Sequence, residues 1–321
     1  MSADWAAPLA AFLACWLGLR LLLRRSQALP MDYPNIRSLH KKPTPRIGGL
    51  GIMAGLVAAS AWLADAALLP AMLGVFALAA VSLADDVRGL PVRMRLLAHF
   101  VVAAGCLIAL GLTGWALLAG VLAVVWMTNL YNFMDGADGL AGGMAVIGFA
   151  TLAVGAWLGG APELAVFCAA IAAAALAFLW FNFPPARLFM GDAGSIPLGF
   201  LAAALGILGT RQSAWPWAFP LLVFSPFIVD ATVTLVQRAL RGEKIWQAHR
   251  SHYYQRTVLL GVTHRQLALA AYALMGTMAG LAFTLRILSQ YAAWVLILSA
   301  AIYLTIFLAI DFRWRRNHNE V

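Results

Sequence analysis

Charge is what this sequence has least of. Asp, Glu, Lys and Arg make up only 11% of its 321 residues, against about 25% in a typical water-soluble domain, and 63% of the chain is hydrophobic. That balance excludes an ordinary soluble globular protein, and no stretch is polar for long enough to form a separate soluble domain. Cysteine is scarce too. Cys15, Cys106 and Cys168 each fall within an apolar run, so they read as packing residues; a disulfide framework and a thiolate metal site are both disfavoured. The net charge of +9 would suit a nucleic-acid partner, but the basic residues lie between the apolar runs, where membrane orientation accounts for them. No nucleic acid is expected.

What the chain has instead is apolar length. Runs of about 17–25 residues, enough to cross the hydrocarbon core as helix, recur from end to end. Eleven spans are expected, at 5–23, 47–64, 66–84, 96–113, 115–131, 140–158, 162–182, 195–210, 215–237, 266–284 and 289–310. The ninth contains Pro216, Pro220 and Pro226 and should be kinked. The fold class is therefore an all-α polytopic membrane protein. The first run has no basic segment before it and Arg24-Arg25 after it, so it reads as a retained helix rather than a signal peptide. Starting with the N-terminus outside puts 19 of the 22 Lys and Arg residues in the inner loops 24–46, 85–95, 132–139, 183–194 and 238–265 and the tail after residue 310. A periplasmic N-terminus and a cytoplasmic C-terminus follow. Most tryptophans, among them Trp5, Trp62, Trp115 and Trp157, sit near span ends as an aromatic belt.

The few acids are not scattered. Five of the thirteen fall in three short inner-face motifs, DDVRGL at 85–90, DGADG at 135–139 and FMGDAGS at 189–195. Solvation of helix ends would explain any one of them; it does not explain three together, since acids in or beside a membrane are costly and often functional. Glycine-flanked aspartates suit metal and phosphate chemistry. Mg²⁺ is commonly held by one or two carboxylates, with substrate phosphates and water completing its shell, and glycine lets backbone approach a phosphate closely. Asp135 and Asp138 would share a face if helix continued through them. Ser195 is placed to cap the eighth span. Two basic loops, YPNIRSLHKKPTPRIGG at 33–49 and QAHRSHYYQR at 247–256, can supply Arg and His donors to an anion. Asp230, within the proline-rich ninth span, admits either a functional or a structural pairing.

RSLHKKPTPRIGG, DDVRGL, NLYNFMDGADGLAG, FMGDAGS and HRSHYYQR, in that order, resemble the polyprenyl-phosphate N-acetylhexosamine-1-phosphate transferases over essentially the whole chain. The resemblance implies a single transmembrane catalytic domain in a bacterial cytoplasmic membrane, its active site built by the inner loops on the cytoplasmic face. It implies transfer of N-acetylhexosamine 1-phosphate from a UDP-N-acetylhexosamine to undecaprenyl phosphate, giving UMP, with Mg²⁺ required and Mn²⁺ able to substitute. Carried over by motif, Asp192 would be the chief metal ligand with Asn132 the second. Asp85 and Asp86 would stand near the lipid phosphate. Asn129, Asn132, Asp135 and Asp138 would line the nucleotide-sugar side, with Phe189 stacking on uracil. Lys41, Lys42 and Arg46 match the family's basic loop on the phosphate and lipid side, and His249, Arg250 and His252 would hold the diphosphate or sugar. The pattern in the last inner loop looks like the branch that initiates O-antigen, with UDP-GlcNAc, UDP-FucNAc or UDP-QuiNAc as donor. The alternatives are a peptidoglycan-precursor phosphotransferase and, from another class, a lipid-carrier or nucleotide-sugar transporter. Small-residue runs such as 169–177 permit close helix packing within or between chains, which admits a homodimer.

Overall fold

The computed structural model describes residues 5–24, 30–34, 38–63, 65–244, 247 and 249–319. Among them nine helices are long and apolar enough to cross a membrane. These are α1 (Ala6–Leu23), α3 (Leu69–Arg88), α4 (Val92–Ala109), α5 (Gly114–Phe133), α6 (Leu140–Leu158), α7 (Pro162–Asn182), α8 (Asp192–Arg211), α12 (His264–Ile287) and α13 (Ala292–Asn319). Shorter helices complete the set: α2 (Gly48–Ser60), α9 (Ala218–Val223), α10 (Ser225–Leu240) and α11 (Tyr253–Leu259). The chain is a polytopic helical membrane protein. Its only described strands are β1 (Met31–Asp32) and β2 (Thr44–Pro45), an antiparallel pair in a loop.

Two expected spans are not single helices of membrane-crossing length. The second, at 47–64, is the 13-residue helix α2. The ninth, at 215–237, is interrupted at Phe224 and becomes α9 and α10. Pro226 has no N–H to give the carbonyl four residues back, Leu222 O; the Ser225 hydroxyl donates to that oxygen at 2.6 Å instead. The break is thus satisfied locally, as a helix interruption inside a membrane must be.

Helices α6, α7 and α8 form the buried centre, while α1, α4 and α13 keep most of their surface outward. Along those outer helices large apolar side chains such as Leu9, Leu97 and Leu304 are exposed, the pattern of a surface solvated by lipid. The N-terminal ends of α2 and α8 cross so closely that a Cβ on Gly49 would overlap the backbone of Gly194. That crossing brings the end of the first basic loop against the FMGDAGS motif. It is what positions the site.

Candidate active site

The motifs meet at one end of the bundle. Residues 45–49 run beside 189–190: Phe189 N donates to Pro45 O at 2.7 Å, Gly48 N to Phe189 O at 2.8 Å and Gly49 N to Met190 O at 2.8 Å. Gly191 follows with φ 72, a left-handed conformation that glycine adopts without steric cost, and the chain turns directly into α8. Asp192 is therefore the first residue of the helix. Its carboxylate sits 3.1 Å from Arg46 Nη2 through Oδ1 and 3.9 Å from Arg95 Nη1 through Oδ2. The helix starts three residues earlier than expected, so Ser195 does not cap it. The Ser195 hydroxyl instead donates to Asn132 Oδ1 at 2.7 Å, tying the first turn of α8 to the last turn of α5.

Helix α5 ends at Phe133 and α6 begins at Leu140, so Asp135 and Asp138 lie in the connecting loop and share no helical face. Asn182, at the end of α7, staples this loop to its neighbour: Gly139 N donates to its Oδ1 and its Nδ2 donates to Leu188 O, both at 2.9 Å. The Asp138 carboxylate accepts from Ala186 N at 3.0 Å and lies 3.3 Å from His264 Nδ1. Burial pushes this carboxyl up. The bonds from His264 and Ala186 and the charges of His264 and His40 outweigh it, and the net shift is downward. Asp135 goes the other way. Burial, reinforced by the charge of Asp192, raises it to about 7.

A cavity of about 450 Å³ opens among these segments, within the usual range for a small-molecule site. Asn132, Asp135, Asp138, Phe189, Asp192, Arg46, His249 and His252 all line it. Other expected residues lie elsewhere. Asp85 accepts from Leu90 N at 2.6 Å and pairs with Arg95 at 2.9 Å, which links it to Asp192; neither it nor Asp86 is part of the cavity lining. Asn129 donates to Val125 O at 2.7 Å and contacts His99 Nδ1 at 3.3 Å within the bundle. Lys41 and Lys42 are exposed away from the lining, and Arg250 faces a different opening. Parts of the expected inner loops 24–46 and 238–265 fall outside the described residues.

The structure also brings in residues that the motif reading did not single out. Asp32, His40, Asn182, Gln255 and His264 share the lining. The His40 ring meets Phe189 edge-on at 4.9 Å, and its Nε2 is buried without a hydrogen-bond partner among the described residues. Its place directly before Lys41 in the basic loop was the available signal. His264 had none, because its partner Asp138 is 126 residues away.

Asp230 turns out to be a helix anchor. Its carboxylate accepts from Tyr253 N and Tyr254 N, both at 2.9 Å, capping the start of α11. Tyr254 in turn donates to Phe133 O at 3.0 Å, and His252, directly before the helix, lies with Nδ1 3.6 Å from Asp230 Oδ1. The α11 segment is held over the cavity by these contacts.

Burial, with help from His252 and Arg238, lowers His249 to about 4. The imidazole is thus neutral at pH 7, and its Nδ1 accepts from Ser251 Oγ at 2.8 Å, leaving Nε2–H to donate. A lowered histidine pKa opposes protonation, so the unfolded chain takes up more protons between its ordinary value near 6.5 and the folded value of about 4. Stability must fall as pH drops through that window. Going from pH 7 to 5, the wild type should lose about 1 kcal/mol more than His249→Asn, allowing for solvent screening at this half-buried site. Paired thermal melts across pH check this; parallel curves would contradict it.

The chain is similar to known proteins over most of its length. A family model described as "Glycosyl transferase family 4" matches residues 68–210. The chain is 32% identical over 265 residues to a Bacillus subtilis protein named "Probable undecaprenyl-phosphate N-acetylglucosaminyl 1-phosphate transferase", covering 75% of this chain and 73% of that one. A "Decaprenyl-phosphate N-acetylglucosaminephosphotransferase" of Mycobacterium tuberculosis is 28% identical over 314 residues, 81% of this chain and 76% of its own. A "Phospho-N-acetylmuramoyl-pentapeptide-transferase" of Levilactobacillus brevis is 34% identical over 146 residues, 44% of either chain.

Proposed function

Because the chain belongs to the polyprenyl-phosphate N-acetylhexosamine-1-phosphate transferases of glycosyl transferase family 4, we propose that it transfers an N-acetylhexosamine 1-phosphate from a UDP-sugar to undecaprenyl phosphate and releases UMP. Its family supports a polyprenyl-phosphate sugar-1-phosphate transferase in general; the acceptor, donor and roles are our reading. The observation that carries it is the cavity where Phe189, Asp135 and Asp138 line the same space as Arg46 and Asp192. An aromatic ring, loop carboxylates and a guanidinium suit a base, a sugar hydroxyl and a phosphate respectively. We place this cavity on the cytoplasmic face, on the strength of the 19 basic residues in the expected inner loops.

The reaction forms a bond from a lipid phosphate oxygen to the β-phosphorus of the UDP-sugar. It breaks the bond from that phosphorus to the bridging oxygen, which leaves with UMP. A phosphate monoester has a second pKa of about 6, so the lipid phosphate is largely dianionic at neutral pH and needs no strong base. Asp85 then acts by holding Arg95 beside Asp192, with Asp86 next to it on the lipid side. Catalysis of phosphoryl transfer is mainly positioning and neutralisation. Asp192, Asn132 and Asp135 offer hard oxygen donors to one cavity, which fits Mg²⁺. Among the described residues no cluster of three or more His, Cys, Asp or Glu is arranged for a metal. When bound, Mg²⁺ or Mn²⁺ would neutralise the diphosphate; Asp192 and Asn132 would hold it. Arg46 would meet phosphate oxygens, and His249 would donate through Nε2.

The branch we favour is O-antigen initiation, with UDP-GlcNAc, UDP-FucNAc or UDP-QuiNAc as donor. A panel of these donors with UDP-N-acetylmuramoyl-pentapeptide, scored by UMP release in detergent with undecaprenyl phosphate, tests the assignment. Release with one of the three small hexosamines is expected. Release with the pentapeptide donor alone would shift the protein to the peptidoglycan branch.

A further inference from the structure

A second opening, of about 630 Å³, lies where α10, α11 and α13 converge. Arg238, Arg241, Arg250, Arg256 and Arg315 line it against one lining carboxylate, Asp311. Some of this charge is already paired. Arg256 Nη2 sits 2.7 Å from Asp311 Oδ1, and its guanidinium lies over the Tyr253 and Trp314 rings at 4.8 and 5.0 Å. Glu243, beside the opening, takes Arg238 at 2.8 Å and Arg241 at 3.8 Å. Among the described residues no carboxylate pairs with Arg250 or Arg315. The Arg238 side chain is only 7% exposed, yet its Nη1 is buried with no hydrogen-bond partner among the described residues. A buried guanidinium that leaves one nitrogen without an acceptor is costly, and an anion in the opening would offset its charge.

This opening is separate from the first cavity. In the stretch His249–His252 the two histidines line the first cavity while Arg250 and Ser251 line the second, so the segment is a shared wall. Its surroundings include exposed apolar surface. Leu240, on its rim, is 83% exposed and Phe312, next to Asp311, is 70% exposed. Helix α13 starts at Ala292, and about twenty residues of helix cross a hydrocarbon core, which brings Asp311 to the far edge at headgroup depth. Apolar surface beside a basic recess at that depth suits an anion carried on acyl chains better than a free one.

We propose that the arginine-lined opening between α10, α11 and α13 is a second anion site, which binds the phosphate of an anionic phospholipid headgroup at the membrane surface. The test is native mass spectrometry of delipidated protein offered phosphatidylglycerol, phosphatidylcholine of the same chains, inorganic phosphate or undecaprenyl phosphate. The wild type should retain phosphatidylglycerol at least about tenfold more than phosphatidylcholine. R241Q/R315Q should lose about fivefold in affinity per arginine, about twenty-five-fold for the pair. Arg315 is on the exposed end of α13, so R315Q alone, with about a fivefold loss, serves if the double variant does not fold. Equal retention by wild type and variant would overturn the proposal. So would variant-sensitive binding of inorganic phosphate or undecaprenyl phosphate in preference to phosphatidylglycerol.

Discussion

Asp192→Asn should lower turnover at least about a hundredfold while the protein stays folded and monodisperse. The carboxylate opens α8, faces Arg46 at 3.1 Å and Arg95 at 3.9 Å, and lines the cavity on which the transferase reading rests. Asparagine keeps its shape and removes its charge. If Asp192 holds the metal and balances the arginines around the diphosphate, kcat falls and raising Mg²⁺ restores only part of it. If the protein were a scaffold of a polysaccharide assembly complex, the variant would keep full function. Retained turnover within about threefold would remove Asp192 from the chemistry.

The second large effect is expected at Asp230, for a different reason. Asp230→Ala leaves the amides of Tyr253 and Tyr254 without their acceptor in a buried setting, at about 1–3 kcal/mol each. Helix α11 would lose its anchor to α10. His252 and Tyr254 would lose their fixed places over the cavity. The expected result is a lower melting temperature together with at least about a tenfold loss in kcat/KM for the nucleotide sugar. Asp230→Asn keeps one carbonyl acceptor and should fall between. A loss of kcat in both variants with unchanged melting would instead make Asp230 a direct participant.

Much of this arrangement was legible beforehand, and the reasons differ by element. Helices α6 and α7 coincide with the expected spans 140–158 and 162–182, because an uninterrupted apolar run leaves the backbone no alternative in lipid. The prolines of the ninth span mark its kink, but apolar length does not show that the helix breaks at Phe224, where the Ser225 hydroxyl takes the Leu222 carbonyl that Pro226 has no N–H to reach. The gathering of DGADG and FMGDAGS was foreseeable from their shared face. Their detailed wiring was not. Asn182 and His264 act through partners far along the chain, Gly139 and Asp138, and no local pattern marks them. Arg250 and His252 are two residues apart in sequence yet line different openings, because the backbone between them runs along a wall rather than into one site.

The central claim is that sugar and phosphate move together onto a lipid phosphate. It is tested most directly with UDP-N-acetylglucosamine, or whichever donor the panel selects, carrying ³²P in its β-phosphate. Purified protein, Mg²⁺ and undecaprenyl phosphate should convert that label into organic-extractable lipid, with one unlabelled UMP released for each labelled lipid formed. If the β-label stays in water-soluble nucleotide while sugar moves, or if nothing moves except across a sealed membrane, the account is contradicted.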